Sequence, residues 1–403
     1  MSKIIVNSQG PHSPNGVGVN TGFSKVGYGI VTALAEQHDV GWLCNEHQGL
    51  DFTFSASKAA KSFKILRGNK NFTESASELK LHVETRKPDY VIGVGEAWAM
   101  YPYKDIKFGN TELMMHIPVD GDPLDKTLEA IAPMADLIIP ASHYGAKVLE
   151  INGLGGSHVI PHSYDPNTYK PYKQKQRDEA RTEMGLTNEF VVGFVGRQQD
   201  RKNTMALVVA FAKFAEGKDD VRLMLDVTID KYADYNMIHL IQFLGLGRKV
   251  FMLKRHNHRE SEMANLYNAM DVYFTTTCSE GFNLPVLEAQ ACGVPCIATN
   301  YSAHVELIRG HGQLINVADY RPMPNGINWA YVDINDAVEK LQYYYDNRSA
   351  VRRDGAAAQK FVSEFYTKPV VDKLWVELIE KYDDVKEMSE SKKPVRRMDV
   401  NVE

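Results

Sequence analysis

Glu280 and Glu288 flank the run Gly281-Phe282-Asn283-Leu284-Pro285, and Pro285 suits the first turn of a helix. Glu280 then lies in the loop and Glu288 about one turn into the helix, so both carboxylates can face one crevice. Carboxylates accept hydrogen bonds from paired sugar hydroxyls, and the N–H groups of Gly281, Phe282, Asn283 and Leu284 can receive phosphate. Read alone, the two glutamates also fit ordinary surface charges. A second segment, Val195-Gly196-Arg197-Gln198-Gln199-Asp200-Arg201-Lys202-Asn203, puts cations between a strand and a helix, where Arg197 and Lys202 could neutralise a diphosphate. A solvated charged turn is the plain alternative. The third segment, Thr21-Gly22-Phe23-Ser24-Lys25-Val26-Gly27-Tyr28-Gly29, opens a helix after a loop rich in Gly, Pro and Asn. Gly22 there would let an anion approach the helix N-terminus, though such segments are commonly turns and nothing more. The fourth, Met115-His116-Ile117-Pro118-Val119-Asp120-Gly121-Asp122-Pro123, offers His116 and Asp120.

These segments need strands to aim them. Short β-branched runs alternate with helical patterns, the signal of βαβ units on parallel sheets. Strands are predicted at Lys3–Asn7, Asp39–Cys44, Tyr90–Gly95, Leu113–Pro118 and Leu137–Ala141. The pattern restarts with Phe190–Gly196, Val221–Asp226, Val250–Leu253, Val272–Thr276 and Pro295–Thr299, with helices at Met205–Phe214 and Ser261–Ala269. All four segments therefore fall at carboxyl ends of strands, where open parallel sheets bind ligands. The turn formers at Asp165–Lys173 place a linker near Thr168, giving an N-terminal Rossmann-like domain over residues 1–168 and a second over 169–368. A helix is predicted at Val370–Val385, within 369–388, and a disordered tail over 389–403.

With 403 residues, 44% of them hydrophobic and 24% charged, the chain can build two cores. No apolar run suits a membrane span and no signal peptide is apparent, so a cytoplasmic protein is expected. The four cysteines, Cys44, Cys278, Cys292 and Cys296, form no zinc spacing and read as reduced. A net charge of −5 gives no general attraction to nucleic acid or anionic lipid. A strict dinucleotide fingerprint is absent, which argues against a nicotinamide oxidoreductase.

The segment Glu280 to Glu288 resembles the E-x7-E signature of family-4 retaining glycosyltransferases, and Gly196-Arg197 with Lys202 resembles that family's phosphate-binding pair. Further similarity lies in Ala135–Ser142, Val159-Ile160-Pro161-His162, Leu266–Val272 and Ala291–Thr299, so it extends over about the last two-thirds of the chain. The resemblance implies an α/β chain of the GT-B fold: two facing Rossmann-like domains, a cleft between them, and a C-terminal helix crossing back to the first domain. It also implies a transferase moving a sugar from a nucleoside diphosphate-sugar to a hydroxyl acceptor with retention of configuration. Uridine diphosphate sugars are the commonest donors in that family. By motif position Glu280 would bind the transferred sugar, Glu288 the ribose, and Arg197 and Lys202 the diphosphate, with Gly22 closing on the same phosphates. His116 resembles the family's active-site histidine and should face the cleft, with Asp120 beside it. Asp120-Gly121-Asp122 spells a metal motif of another glycosyltransferase fold, but cations and helix dipoles replace a metal here, so neither metal nor cofactor is expected. Alanine at Glu280 or Lys202 is expected to abolish transfer and spare the fold. A non-catalytic nucleotide-sugar-binding protein would have lost one of these residues.

The acceptor stays open among a glycan, a small molecule, a lipid and hydroxymethylated-pyrimidine DNA. A lipid or DNA would call on basic residues such as Lys58-Ala59-Ala60-Lys61-Ser62-Phe63-Lys64 with Arg67 and Lys70, Arg86-Lys87, and the basic tail. The first of these reads more readily as a solvated helix face.

Overall fold

The computed structural model describes residues 1–10, 21–45, 47, 50–54, 62–69, 72–155, 158–229, 235–253 and 258–391. Lys58 to Lys61, Lys70 and most of the loop before Thr21 lie outside them, as do residues 392–403 of the expected tail. The first half runs β1 (Lys3–Gln9), α1 (Gly22–Leu34), β2 (Asp39–Asn45), β3 (Phe52–Phe54), β4 (Phe63–Arg67), α2 (Phe72–Arg86) and β5 (Tyr90–Val94). It continues with α3 (Ala97–Met100), β6 (Glu112–Ile117), α4 (Lys126–Ile131), β7 (Leu137–Pro140) and α5 (His143–Ile151). The second half runs α6 (Gln174–Glu183), β8 (Phe190–Gln198), α7 (Thr204–Phe214), β9 (Val221–Ile229), α8 (Met237–Phe243), β10 (Val250–Met252), α9 (Glu260–Ala269) and β11 (Val272–Phe274). It ends with α10 (Leu284–Ala291), β12 (Cys296–Thr299), α11 (His304–Ile308), β13 (Gln313–Ile315), β14 (Val317–Pro322), β15 (Asn328–Val332), α12 (Ile334–Asp346), α13 (Arg348–Phe365) and α14 (Lys368–Ser391).

Two sheets result, ordered β3-β4-β2-β1-β5-β6-β7 and β10-β9-β8-β11-β12-β13. Every pairing in them is parallel except β3 with β4. Helices cover both faces of the first sheet, so its central strands are buried on both sides: all five residues of β5 are buried. In each sheet the strand order reverses beside the first strand, between β1 and β5 and between β8 and β11. The crevices at these reversals are where a doubly wound sheet holds ligands.

Helix α14 returns to the first domain. Val371, Trp375, Leu378 and Ile379 are buried in one cluster with Ile4, Val6, Ile30 and Val31. Asp383 on the same helix accepts hydrogen bonds from Ser2 Oγ at 2.6 Å and Tyr90 Oη at 2.7 Å. The chain passes between domains at two adjacent places, since Tyr164 and Thr367 form a parallel bridge. The helix starts at Lys368 and reaches Ser391, so Ser389 to Ser391 are helical where a tail was expected. The basic run before Arg67 also differs from expectation: Phe63–Arg67 is a strand, with Phe63 and Ile65 buried and Lys64 exposed.

The hairpin β14–β15 stands apart from both sheets and reaches across to the first domain. Asn325 O accepts the N–H of Lys126 at 2.9 Å, the Asn325 amide donates to Asp125 at 2.7 Å, and Asn328 N–H donates to Asp122 O at 3.3 Å.

Candidate functional site

Gln9 at the end of β1, Thr21 and Gly22 at the start of α1, and the loops after β5, β6, β8 and β11 meet in the cleft around a cavity of about 380 Å³. The helix α1 enters it at Thr21, whose hydroxyl accepts the N–H of Ser24 at 3.2 Å, with Gly22 next in line. A Cβ on Gly22 would stand 3.5 Å from Leu284 at the start of α10, so two helix N-termini open onto the same space. The N–H groups of Phe282, Asn283 and Leu284 have no partner among the described residues, as expected of a helix start that can receive an anion. Gly281 differs, because its N–H donates to Asp120 Oδ1 at 2.7 Å. A side chain at Gly281 would put Cβ 2.5 Å from Pro118 Cβ, so glycine is what lets the two domains touch here.

Charge gathers at Glu280, which is 5% exposed. Its carboxylate pairs with Lys202 Nζ and with Arg201 Nη1 at 2.7 Å, while Arg201 Nε lies 3.5 Å from Asp120. Burial alone would push the Glu280 carboxyl up, but Arg201 and Lys202 pull it down to about 2. Burial raises Asp120 against the pull of Arg201. Arg197 is exposed and lines the cavity.

Glu288 is held differently. Its carboxylate meets Lys25 Nζ at 2.6 Å and Tyr267 Oη at 2.7 Å, and Lys25 also pairs with Glu260 at 2.9 Å. Lys25 belongs to α1 of the first domain, so this is an ion pair across the cleft. The two carboxylates outweigh burial and raise its affinity for a proton.

The expectation that His116 faces the cleft is corrected. The side chain is 1% exposed, its Nδ1 lies 2.9 Å from Ile139 O, and its ring packs on His162 and Trp375, each at 5.3 Å. Helices and loops cover both faces of β6, so its position on the strand does not bring it to the surface; burial lowers it to about 4 and keeps it neutral. His162 lines the cavity instead, beside Phe282 at 4.9 Å, with both ring nitrogens buried and unpartnered.

The structure thus gathers Asp120, Arg197, Lys202, Glu280, Gly22 and Gly281 to Leu284 at the cavity, puts Glu288 behind it, and leaves His116 out. It adds Arg201, Glu96, Lys25 and His162. Arg201 and Lys25 stood inside segments already notable for charge and glycine, and Glu96 lies in the short loop after β5, where a residue has reason to face the crevice. Glu96 precedes α3 yet makes no capping bond. Burial and the nearby Asp120 push its carboxyl up to about 8. Among the described residues no group of His, Cys, Asp or Glu is arranged to hold a metal ion, and no helix is long and apolar enough to cross a membrane.

Residues 176–360 match the family of glycosyl transferases group 1. D-inositol 3-phosphate glycosyltransferase of Paenarthrobacter aurescens (strain TC1) is 31% identical over 207 residues, covering 50% of this chain and 45% of that protein. The chain thus spans about half the length of the curated relatives it matches. Among solved structures, sucrose-phosphate synthase from Thermosynechococcus elongatus superposes with a TM-score of 0.75 at 17% identity, over 96% of this chain and 100% of that one. The Anabaena protein HepE, in complex with UDP-glucose, superposes with a TM-score of 0.69 at 17% identity, over 94% and 100%. The matched stretch, residues 176–360, contains Arg197, Lys202, Glu280 and Glu288, and the two domains of the chain form the GT-B fold.

Proposed function

We propose that the chain transfers a sugar from a nucleoside diphosphate-sugar, a uridine diphosphate-sugar first among them, to an acceptor hydroxyl in the cleft. The observation that carries this reading is the convergence of Arg197, Lys202 and the unpartnered N–H groups of Phe282 to Leu284 on a cavity that also holds Glu280. Cations and a helix N-terminus together suit a diphosphate, and a buried ionised carboxylate suits the hydroxyls of the sugar attached to it. Arg201 joins the diphosphate-binding set, and Glu288, steadied by Lys25 and Tyr267, takes the ribose hydroxyls.

In this reaction the bond from the anomeric carbon to the diphosphate oxygen breaks and the acceptor oxygen bonds to that carbon on the same face. The acceptor proton leaves with the diphosphate, and configuration is retained. The protein contributes position and electrostatic stabilisation of the departing diphosphate. No metal is required, because Arg197, Arg201, Lys202 and the α10 N-terminus compensate the leaving charge. The UDP-glucose complex of the HepE structure supports the choice of donor to try first.

The test is thermal shift with UDP, GDP, ADP and their glucose or mannose esters, followed by nucleoside diphosphate release with candidate acceptors. Selective stabilisation by one nucleotide series and acceptor-dependent release are expected. No stabilisation by any of them would overturn the donor assignment.

A further inference from the structure

A second cavity, of about 350 Å³, opens beside the first and shares Glu96, Trp98, Asp120 and Arg201 with it. Its lining differs in chemistry. Carboxylates come from Glu96, Asp120, Asp125 and Asp200, and among the described residues the lining has one cation, Arg201, paired with Asp120 and Glu280. Two indoles face this space: Trp98 from the first domain, 58% exposed, and Trp329 from the hairpin strand β15, whose Nε1 is buried without a partner. The hairpin turn closes the far side with Asn325 and Ile327, fastened to Asp125 and Lys126.

We propose that this cavity is the acceptor pocket and that it takes an uncharged sugar, free or at the end of a glycan, and not a sugar phosphate. The proposal rests on the donor reading above, since the pocket's use follows from its junction with the donor cavity at Glu96 and Asp120. Aromatic faces pack against the apolar face of a pyranose ring, and carboxylates accept the hydrogen bonds of its hydroxyls. A phosphate group would meet carboxylates where it needs cations, and the one guanidinium among the described residues of the lining, Arg201, is shared with the donor cavity, where the diphosphate would engage it. The names of two similar proteins, D-inositol 3-phosphate glycosyltransferase and sucrose-phosphate synthase, carry a phosphorylated cyclic polyol and a phosphorylated sugar. This pocket is built for the unphosphorylated counterpart.

The test uses tryptophan fluorescence of the full chain. Trp42 and Trp375 are buried in the first-domain core, which leaves Trp98 and Trp329 to report on the pocket. UDP is titrated first, with GDP and ADP in its place should it fail, and at saturation glucose, mannose, maltotriose, glucose 6-phosphate, mannose 6-phosphate and a hydroxymethylcytosine duplex are added in separate arms. The expected result is saturable binding of an uncharged sugar, with the phosphates roughly tenfold or more weaker. Monosaccharide against maltotriose distinguishes a free sugar from a glycan end. Trp98→Ala, exposed enough to spare the fold, and Asp200→Asn should each weaken sugar binding roughly tenfold, and Asp200→Asn, which lines this cavity and not the donor cavity, should leave UDP affinity unchanged. Sugar phosphates binding as tightly as sugars, sugar binding untouched by both variants, binding of the duplex alone, or no saturable sugar binding would each overturn the pocket assignment. Failure of UDP, GDP and ADP alike at that earlier step would instead overturn the donor reading.

Discussion

At the residue scale, Glu280 is the point where sequence and structure lead to different experiments. Alanine there was expected to spare the fold, but Glu280 is buried against Arg201 and Lys202. Removing one member of a buried ion cluster leaves the others uncompensated, so Glu280→Ala should cost about 3–5 kcal/mol in urea unfolding. Glu280→Gln keeps the volume and is the better probe of chemistry; transfer should fall about 100-fold or more with smaller loss of stability. The pH dependence of stability has two opposing parts. Glu280 is held at about 2, below its ordinary 4.5, so its contribution is complete above 4.5 and is lost as pH falls towards 2. Glu96 is raised from 4.5 to about 8, so the unfolded chain gives up this proton first and stability declines as pH rises between those values. Melting temperatures from pH 3 to 9 should show Glu96→Gln gaining on wild type through the upper window, and a constant difference across it would refute the assignment.

At the element scale, the close approach of the β6 loop to the α10 loop depends on Gly281. Gly281→Ala would force Pro118 away, and overpacking of this kind costs about 1–3 kcal/mol. The site should suffer more than the fold: nucleotide-sugar KM is expected to rise, while far-ultraviolet circular dichroism stays unchanged. The central strands were legible because β-branched runs such as Tyr90–Val94 stop at turn formers. The short strands β3, β4 and β13 were not, because three to five residues give too little periodicity to separate from loop or helix. In the hairpin β14–β15 the six residues of β14 are exposed but for Val317, so no alternation of apolar and polar residues marks it as a strand. His116 shows a further limit. Met115 and His116 are both buried because β6 is covered on both faces, so no polar alternation marks which side chain turns towards the crevice. The residues proposed to bind the diphosphate were readable as candidates since they sit in contiguous segments; the pairing of Lys25 with Glu288 was not, since 263 positions separate them and the two lie in different domains.

At the scale of the whole molecule, the first domain is completed by residues from the far end of the described chain. Trp375 is 2% exposed in its core, and Trp375→Ala should cost about 3–5 kcal/mol, measured as a lower urea midpoint for the loss of first-domain structure. A midpoint unchanged from wild type would mean that α14 rests on a core already closed. The packing also sets an order of events in the cell. Domains usually fold as they leave the ribosome, beginning with the N-terminal one. Here the apolar surface around Ile4, Val6 and Ile30 waits for Val371 to Ile379, which are made only after the entire second domain. The half synthesised first is therefore the half finished last, and during translation its uncovered flank is an obvious place for a chaperone to hold.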